Sequence, residues 1–231
     1  MATYFCSDPH GEYDLFMRLT ERAGFSDSDV LYVLGDVIDK GKDGFRLLDF
    51  FRRSKNVRVL SGNHEYVFRQ FYIDYTEEFE TCDPDRVLER LKRMYDDRYL
   101  TWDLVDYIDV LPYYFEEKDF ICVHAGLQPD GKGGFLPPTD CSARFLCFDR
   151  QFKEESTVYH GEKTVLFGHT PCHYENGTGE FIKTLKEGKN IGQTLADYAK
   201  IRLDCGVFFT GRLGLLRKED MREIYVTKEG I

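Results

Sequence analysis

The 231-residue sequence contains no run of 18 consecutive apolar residues, no C-x-x-C pair and no excess of basic charge. Each absence removes a class of protein. Without so long an apolar run, a membrane-spanning helix is not expected. Lys and Arg total 31 against 41 Asp and Glu, a formal charge of −10. That balance argues against a nucleic acid or an anionic membrane as partner, because both call for a basic surface. The seven cysteines (Cys6, Cys82, Cys122, Cys141, Cys147, Cys172 and Cys205) are scattered and odd in number, which fits reduced thiols in a cytoplasmic protein better than a disulfide framework. The opening "MATYFCSD" lacks the basic stretch followed by an apolar one that marks a secretory leader, so none is expected. Repeats and linker-like segments are missing too. With 42% apolar residues, one domain over 1–231 is the simplest organisation.

What is present begins with a regular alternation. "TYFCSD" (3–8) reads as a buried strand, and Leu15, Phe16 and Leu19 then recur at helical spacing before Gly24, a natural helix stop. "VLYVLGD" (30–36) and "VRVLSGN" (57–63) are further strands, with Phe45, Leu48 and Phe51 marking a helix between them and "HEYVFRQFY" another after them. This β-α-β-α-β-α order predicts a mostly parallel sheet, which places ligands at the carboxyl ends of its strands. Asp83-Pro84 predicts the start of a helix, within a helical stretch over 77–110, with Val87, Leu88, Leu91 and Met94 on one side. Strands are expected again at 119–126, 164–170, 199–206, 207–217 and 222–227, and the polar, glycine-dotted segment 173–195 as a surface excursion. "LPYYFEE" reads as core.

The ends of the apolar runs carry the chemistry. The first gives Asp8 and His10, the second Asp36 and Asp39, the third Asn63, His64 and Glu65, and two later ones His124 and His169, each group flanked by glycine. Singly, a strand-end Asp caps a helix and a lone His is a core residue. Five such endings on one sheet edge are different, since so many buried polar groups are costly without a cation between them. Imidazole, carboxylate and amide oxygen without thiolate suit Mn, Fe, Zn or Co rather than Ca or Mg. A carboxylate shared by two ions makes the clamp used for displacement at phosphorus.

In order and spacing, "SDPHG", "GDVIDKG", "GNHE", "HAG" and "GHT" resemble the phosphoprotein phosphatase family of calcineurin-like metallophosphoesterases, whose motifs read GDxHG, GDxxDRG, GNHE, HAG and GHT. The chain looks like a compact bacterial member. The resemblance implies an α/β (in part α+β) fold: a two-sheet β-sandwich flanked by helices in αββα layers, with the active site at strand carboxyl ends. It implies two divalent ions, Mn²⁺ foremost with Fe, Zn or Co as alternatives. Asp8 and His10 would hold the first ion, with Asp36 bridging, and Asn63, His124 and His169 the second. A hydroxide between the ions would attack phosphorus in line, His64 would protonate the leaving group and Asp39 would orient His64.

The sequence departs from the family at informative places. Ser7 replaces a glycine, Lys40 stands where eukaryotic-type members have Arg, and Ser61 stands where protein phosphatases often have another. Lysine is a flexible point charge, not a bidentate fork. Arg150 in "CFDRQF" is the remaining guanidinium candidate for phosphate, beside Lys40. The resemblance implies first a serine/threonine protein phosphatase acting on a phosphorylated protein. The missing arginines keep open a small phosphoester or phosphoanhydride substrate, as in symmetrical diadenosine tetraphosphate hydrolases. A catalytically dead phosphoprotein-binding module should have lost a ligand or the acid histidine, and all of them are present.

Overall fold

The computed structural model describes residues 1–78, 83–154 and 161–228. Ten strands are described: β1 (Thr3–Cys6), β2 (Val30–Val33), β3 (Val57–Val59), β4 (Tyr114–Glu116), β5 (Phe120–Val123), β6 (Thr164–Phe167), β7 (Ile182–Leu185), β8 (Tyr198–Arg202), β9 (Arg212–Arg217) and β10 (Glu223–Thr227). They form two five-stranded sheets, ordered β10-β9-β1-β2-β3 and β4-β5-β6-β8-β7. The interior of each sheet is parallel (β1–β2–β3 in one, β5–β6–β8 in the other), and the remaining strands join antiparallel.

Side-chain alternation builds the layers. On β1 and β2, Tyr4, Cys6, Leu31 and Val33 face one apolar cluster while Phe5 and Tyr32 face another, because successive side chains point to opposite faces. On β5 and β6, Phe120, Cys122 and Leu166 join Phe5 and Tyr32 in the core between the sheets, and Ile121, Val123, Val165 and Phe167 face outward into a third cluster. The single parallel sheet suggested by the alternation is therefore two sheets face to face, as the family resemblance implied.

Helices α1 (Tyr13–Ala23) and α2 (Gly44–Arg53) cover the first sheet, burying Leu15, Phe16 and Leu19, and Phe45, Leu48 and Phe51. Gly24 stops α1 in the left-handed conformation at φ 68°. Helix α3 (Asn63–Glu78) springs directly from the turn after β3. Helix α4 (Pro84–Tyr95) has Pro84 in its first turn and the Asp83 side chain accepting from the Asp85 N–H at 3.1 Å. It buries Val87 and Leu91, with Leu88 partly buried, but Met94 is exposed, so the apolar stripe is one residue narrower than its spacing suggested. Helix α5 (Trp102–Asp109) completes this side, and α6 (Ala143–Phe148) caps the second sheet.

Three expectations change. Residues 207–210 form a short helix α8, not the start of a strand, because Gly206 and Gly211 take left-handed conformations at its two ends. The excursion 173–195 contains a four-residue helix α7 (His173–Asn176) and the edge strand β7. Part of "LPYYFEE" is edge strand β4. Cys82 and residues 79–82 of the expected helical stretch lie outside the described residues. The other six cysteines are free thiols.

Candidate metal centre and active site

The carboxyl ends of five parallel strands converge on one place. Asp8 and His10 follow β1, Asp36 and Asp39 follow β2, Asn63 and His64 open α3 after β3, His124 ends β5 and His169 follows β6. Five of these residues (Asp8, His10, Asp36, Asp39 and His169), and Lys40 beside them, take left-handed backbone that side-chain-bearing residues rarely adopt, with φ between 42° and 68°. Backbone held there costs about 1–3 kcal/mol per residue and persists only where the surroundings enforce it, which is typical of functional sites.

Asp36 is the hub. One oxygen lies 3.8 Å from His10 Nε2 and 3.7 Å from His64 Nε2, and the other lies 3.4 Å from His124 Nε2. Ligand atoms of His10, Asp36 and His64 lie within 4.8 Å of one another, as do those of Asp36, His124 and His169. Asn63 Oδ1 sits 3.0 Å from His124 Nε2 and 2.8 Å from His169 Nδ1. The expected second ligand group, Asp36, Asn63, His124 and His169, is thus brought together. In the first, His10 meets Asp36, but Asp8 is engaged elsewhere: its Oδ2 accepts from the Ser7 hydroxyl and, at 3.1 Å, from the His169 N–H. Ser7 does more than constrain a turn, since it helps fix the Asp8 carboxylate. Gly168 makes this possible, because a Cβ there would come within 1.9 Å of Ser7 Oγ and 2.2 Å of Asp8 Oδ2.

These residues fit a pair of cations. The Nδ1 of His124 faces the Leu34 carbonyl at 2.7 Å, and that of His10 faces the Ile38 carbonyl at 3.4 Å. Donating there leaves each Nε2 lone pair aimed into the cluster, the arrangement that orients metal-binding imidazoles. His169 Nε2 is buried with no hydrogen-bond partner. The charges also conflict. Burial pushes Asp8 up to about 7, whereas the surrounding histidines overcome burial and hold Asp36 well below the usual carboxylate range. Burial pushes His10 and His169 down, while the carboxylates of Asp36 and Asp8 overcome burial at His124 and raise it. Cations among these groups would relieve that conflict.

His64 stands at the lip of the cluster, its side chain 23% exposed, with Nδ1 2.7 Å from Asp39 Oδ2. Burial opposes its protonation, but the Asp39 hydrogen bond and the charges of Asp36, Glu65 and Asp39 outweigh it, so its pKa is raised. Lys40 reaches inward, Nζ 2.9 Å from His10 Nε2. Arg150 is exposed, close enough for its charge to bear on His169.

Glu65, one of the strand-end groups in the sequence but without a role there, joins two turns of the site. Fully buried, it accepts from the N–H groups of Gly62 (2.8 Å), Asp36 (2.9 Å), Val37 (2.8 Å) and Ile38 (3.1 Å), clamping the turn after β2 to the turn after β3. Its place in GNHE was the visible signal.

A family model described as calcineurin-like phosphoesterase matches residues 1–192. The chain belongs to this family. Calcineurin-like metallophosphoesterases work with a dinuclear divalent-metal centre, and the His and Asp groups above are this chain's candidates for it. Among curated relatives, symmetrical bis(5′-nucleosyl)-tetraphosphatase of Aggregatibacter actinomycetemcomitans is 29% identical over 170 residues, 72% of this chain and 55% of its own length. The enzyme of that name from Buchnera aphidicola is 37% identical over 67 residues, 28% of this chain and 24% of its own. The chain thus matches between about a quarter and just over half of these relatives' lengths. Among solved structures, a protein provisionally named diadenosine tetraphosphatase superposes with TM-score 0.70 at 19% identity, covering 100% of this chain and 95% of that one. A Saccharomyces cerevisiae protein serine/threonine phosphatase superposes with TM-score 0.58 at 14% identity, covering 100% and 80%. These likenesses show the calcineurin-like metallophosphoesterase fold.

Proposed function

We propose that this calcineurin-like phosphoesterase hydrolyses a phosphoanhydride, cleaving a dinucleoside tetraphosphate and one water into two nucleoside diphosphates. The observation that carries the hydrolytic chemistry is the His64–Asp39 pair, 2.7 Å apart, on the rim of the Asp36 cluster. The curated relatives, named symmetrical tetraphosphatases, direct it to an anhydride. Asp8, His10, Asp36, Asn63, His124 and His169 would hold two divalent ions, with Mn²⁺ our first choice for this donor set. Bound there, the ions would supply positive charge to polarise the phosphoryl group and ease deprotonation of water.

The chain's own residues do the rest. Asp39 holds His64 with Nε2 facing the cluster and favours its protonated form. His64 thus carries a proton for the oxygen that leaves phosphorus as the P–O bond breaks. Lys40 and Arg150 bring positive charge to the phosphate oxygens, which the acidic body otherwise lacks. The same reading takes residues 1–231 as one cytoplasmic domain. In support, the inter-sheet core and the cluster both draw on both sheets, and among the described residues no helix is long and apolar enough to cross a membrane.

A second reading, dephosphorylation of phosphoserine or phosphothreonine in proteins, is favoured by the exposure of His64 and Arg150 at the rim, where a protein loop has access. One experiment separates the two. Purified protein with Mn²⁺ is assayed on diadenosine tetraphosphate, a phosphothreonine peptide and p-nitrophenyl phosphate, with Asp36→Asn as control. The expected outcome is faster turnover of the dinucleotide, with ADP as its nucleotide product. Faster peptide turnover would move the protein to the second reading. His64→Asn adds a check within the same assay. A phosphate leaving group has a second pKa of about 6 and needs little protonation, whereas an alkoxide needs a great deal. The substitution should therefore cost about 100-fold or more in kcat on the peptide and markedly less on the dinucleotide.

A further inference from the structure

A cleft of about 350 Å³ lies beside the turn after β2, lined among others by Lys40, Lys42, Glu12, Tyr13, Phe208 and Lys228. Its volume is within the range of small-molecule sites. Lys40 belongs to both places, since the side chain that lines the cleft also lies 2.9 Å from His10 Nε2. The other walls come from three separate parts of the chain: the start of α1, the short helix α8 and the segment after β10.

Phe208 is the unusual wall. It is 56% exposed, although a phenyl ring of a folded domain is normally covered. Its neighbour Phe209 is held by His173, with ring centroids 5.0 Å apart, and Phe208 meets Phe209 edge to face at 5.4 Å and 89°. Phe208 keeps more than half of its surface in solvent beside that contact. Tyr13, across the cleft, is covered on one face by the Arg46 guanidinium, 3.7 Å from its centroid. The acidic groups at this cleft are already engaged. Glu12 pairs with Lys228 at 2.6 Å, and Asp14 and Asp43 lie 3.9 and 3.8 Å from Arg46. Among the described residues Lys42 has no ion pair, and the hydrogen-bond partner of Lys40 Nζ is the His10 ring.

We infer that this cleft binds the nucleoside end of the substrate, with a base stacked on Phe208 and the attached phosphates running past Lys42 and Lys40 into the cluster. An exposed phenyl ring beside two lysines that have no carboxylate partner among the described residues, linked through Lys40 to the candidate phosphate-cleaving site, suits a nucleoside polyphosphate better than a simple ester. Inorganic polyphosphate would use the lysines and ignore the ring. A phosphopeptide would need a groove on both sides of the phosphate. The inference rests on the anhydride reading for the identity of the whole substrate, but nucleotide binding in the cleft can be measured without turnover.

The test uses full-length protein with Mn²⁺, and Phe208→Ala and Phe208→Trp variants. Titration calorimetry measures binding of ADP and of inorganic tripolyphosphate, and kinetics gives kcat/KM on diadenosine tetraphosphate and tripolyphosphate. Loss of one base stack should weaken ADP roughly 5- to 100-fold in Phe208→Ala, while Phe208→Trp retains it. The ratio of dinucleotide to tripolyphosphate kcat/KM should fall by a similar factor. Equal affinity of wild-type protein for ADP and tripolyphosphate, or ADP affinity unmoved in Phe208→Ala, would overturn the inference. So would a Phe208-dependent KM for a phosphopeptide with no ADP binding. Absence of dinucleotide turnover by the wild type would instead remove the anhydride reading, and the ADP titration alone would then decide the cleft.

Discussion

Glu65 shows how much of this site depends on a residue that never faces it. Four backbone N–H groups from two turns end on one carboxylate, and none of them reaches water. Replacing it by alanine strands four buried donors, each costing about 1–3 kcal/mol when unpaired, with partial relief by relaxation. Glu65→Ala is therefore expected to lose about 4 kcal/mol or more, read as a lower urea midpoint. Gly62 belongs to the same clamp. A Cβ there would lie 2.2 Å from Asp36 Oδ1 and 2.4 Å from Asp36 N, so the turn after β3 can approach the Asp36 carboxylate only without a side chain.

Among elements, the start of β1 is tied to the loop before β2 by Asp29. Its carboxylate accepts from the Ala2 N–H at 2.7 Å and from the Ser26 N–H and hydroxyl at 3.0 and 2.8 Å, and these bonds, the one from Ala2 first, hold its pKa below the usual value. A carboxylate depressed by folding adds stability above its unfolded pKa, near 4, and loses it as pH falls through the folded value. Asp29→Ala should cost about 2 kcal/mol at neutral pH. The gap in melting temperature from the wild type should then close as pH is lowered through the acid range.

The elements also show what the sequence could and could not reveal. The strands that carry ligands were legible because each is a short apolar run ending in a glycine-flanked polar turn. The helices of the first half were legible from the spacing of residues such as Phe45, Leu48 and Phe51. Strand β7 was not, since "IKTL" is partly exposed throughout and forms an edge paired only on one side, to β8. Helix α8 was hidden inside "GVFFTG", whose apolar content imitates a strand and whose two glycines were the only cue. The six metal-ligand candidates could be named from motif order, but the engagement of Asp8 by Ser7 and the clamp of Glu65 could not. The Glu65 clamp depends on a distance between two turns that no local pattern encodes, and the Ser7–Asp8 contact on side-chain orientation within one turn.

For the whole molecule, the cluster is a joint between two sheets. Asp8, His10, Asp36 and Asn63 come from the sheet that contains β1, and His124 and His169 from the sheet that contains β5. Ions bound there would hold the sheets together and favour the folded state by mass action. Free Mn²⁺ at 100 times its dissociation constant contributes about 2.7 kcal/mol, or about 5–10 °C in melting temperature for a chain of this size. Calorimetry with Mn²⁺ and with chelator should show that difference, and Asp36→Asn should abolish it. The strand order has a consequence for synthesis as well. β1 lies between β2, its near neighbour in the chain, and β9, made almost last. As the chain leaves the ribosome, Asp8, His10, Asp36 and Asn63 emerge well before His124 and His169. A nascent chain therefore carries four of its six candidate metal ligands, beside an open edge of β1, before the rest of the set and the last strands arrive.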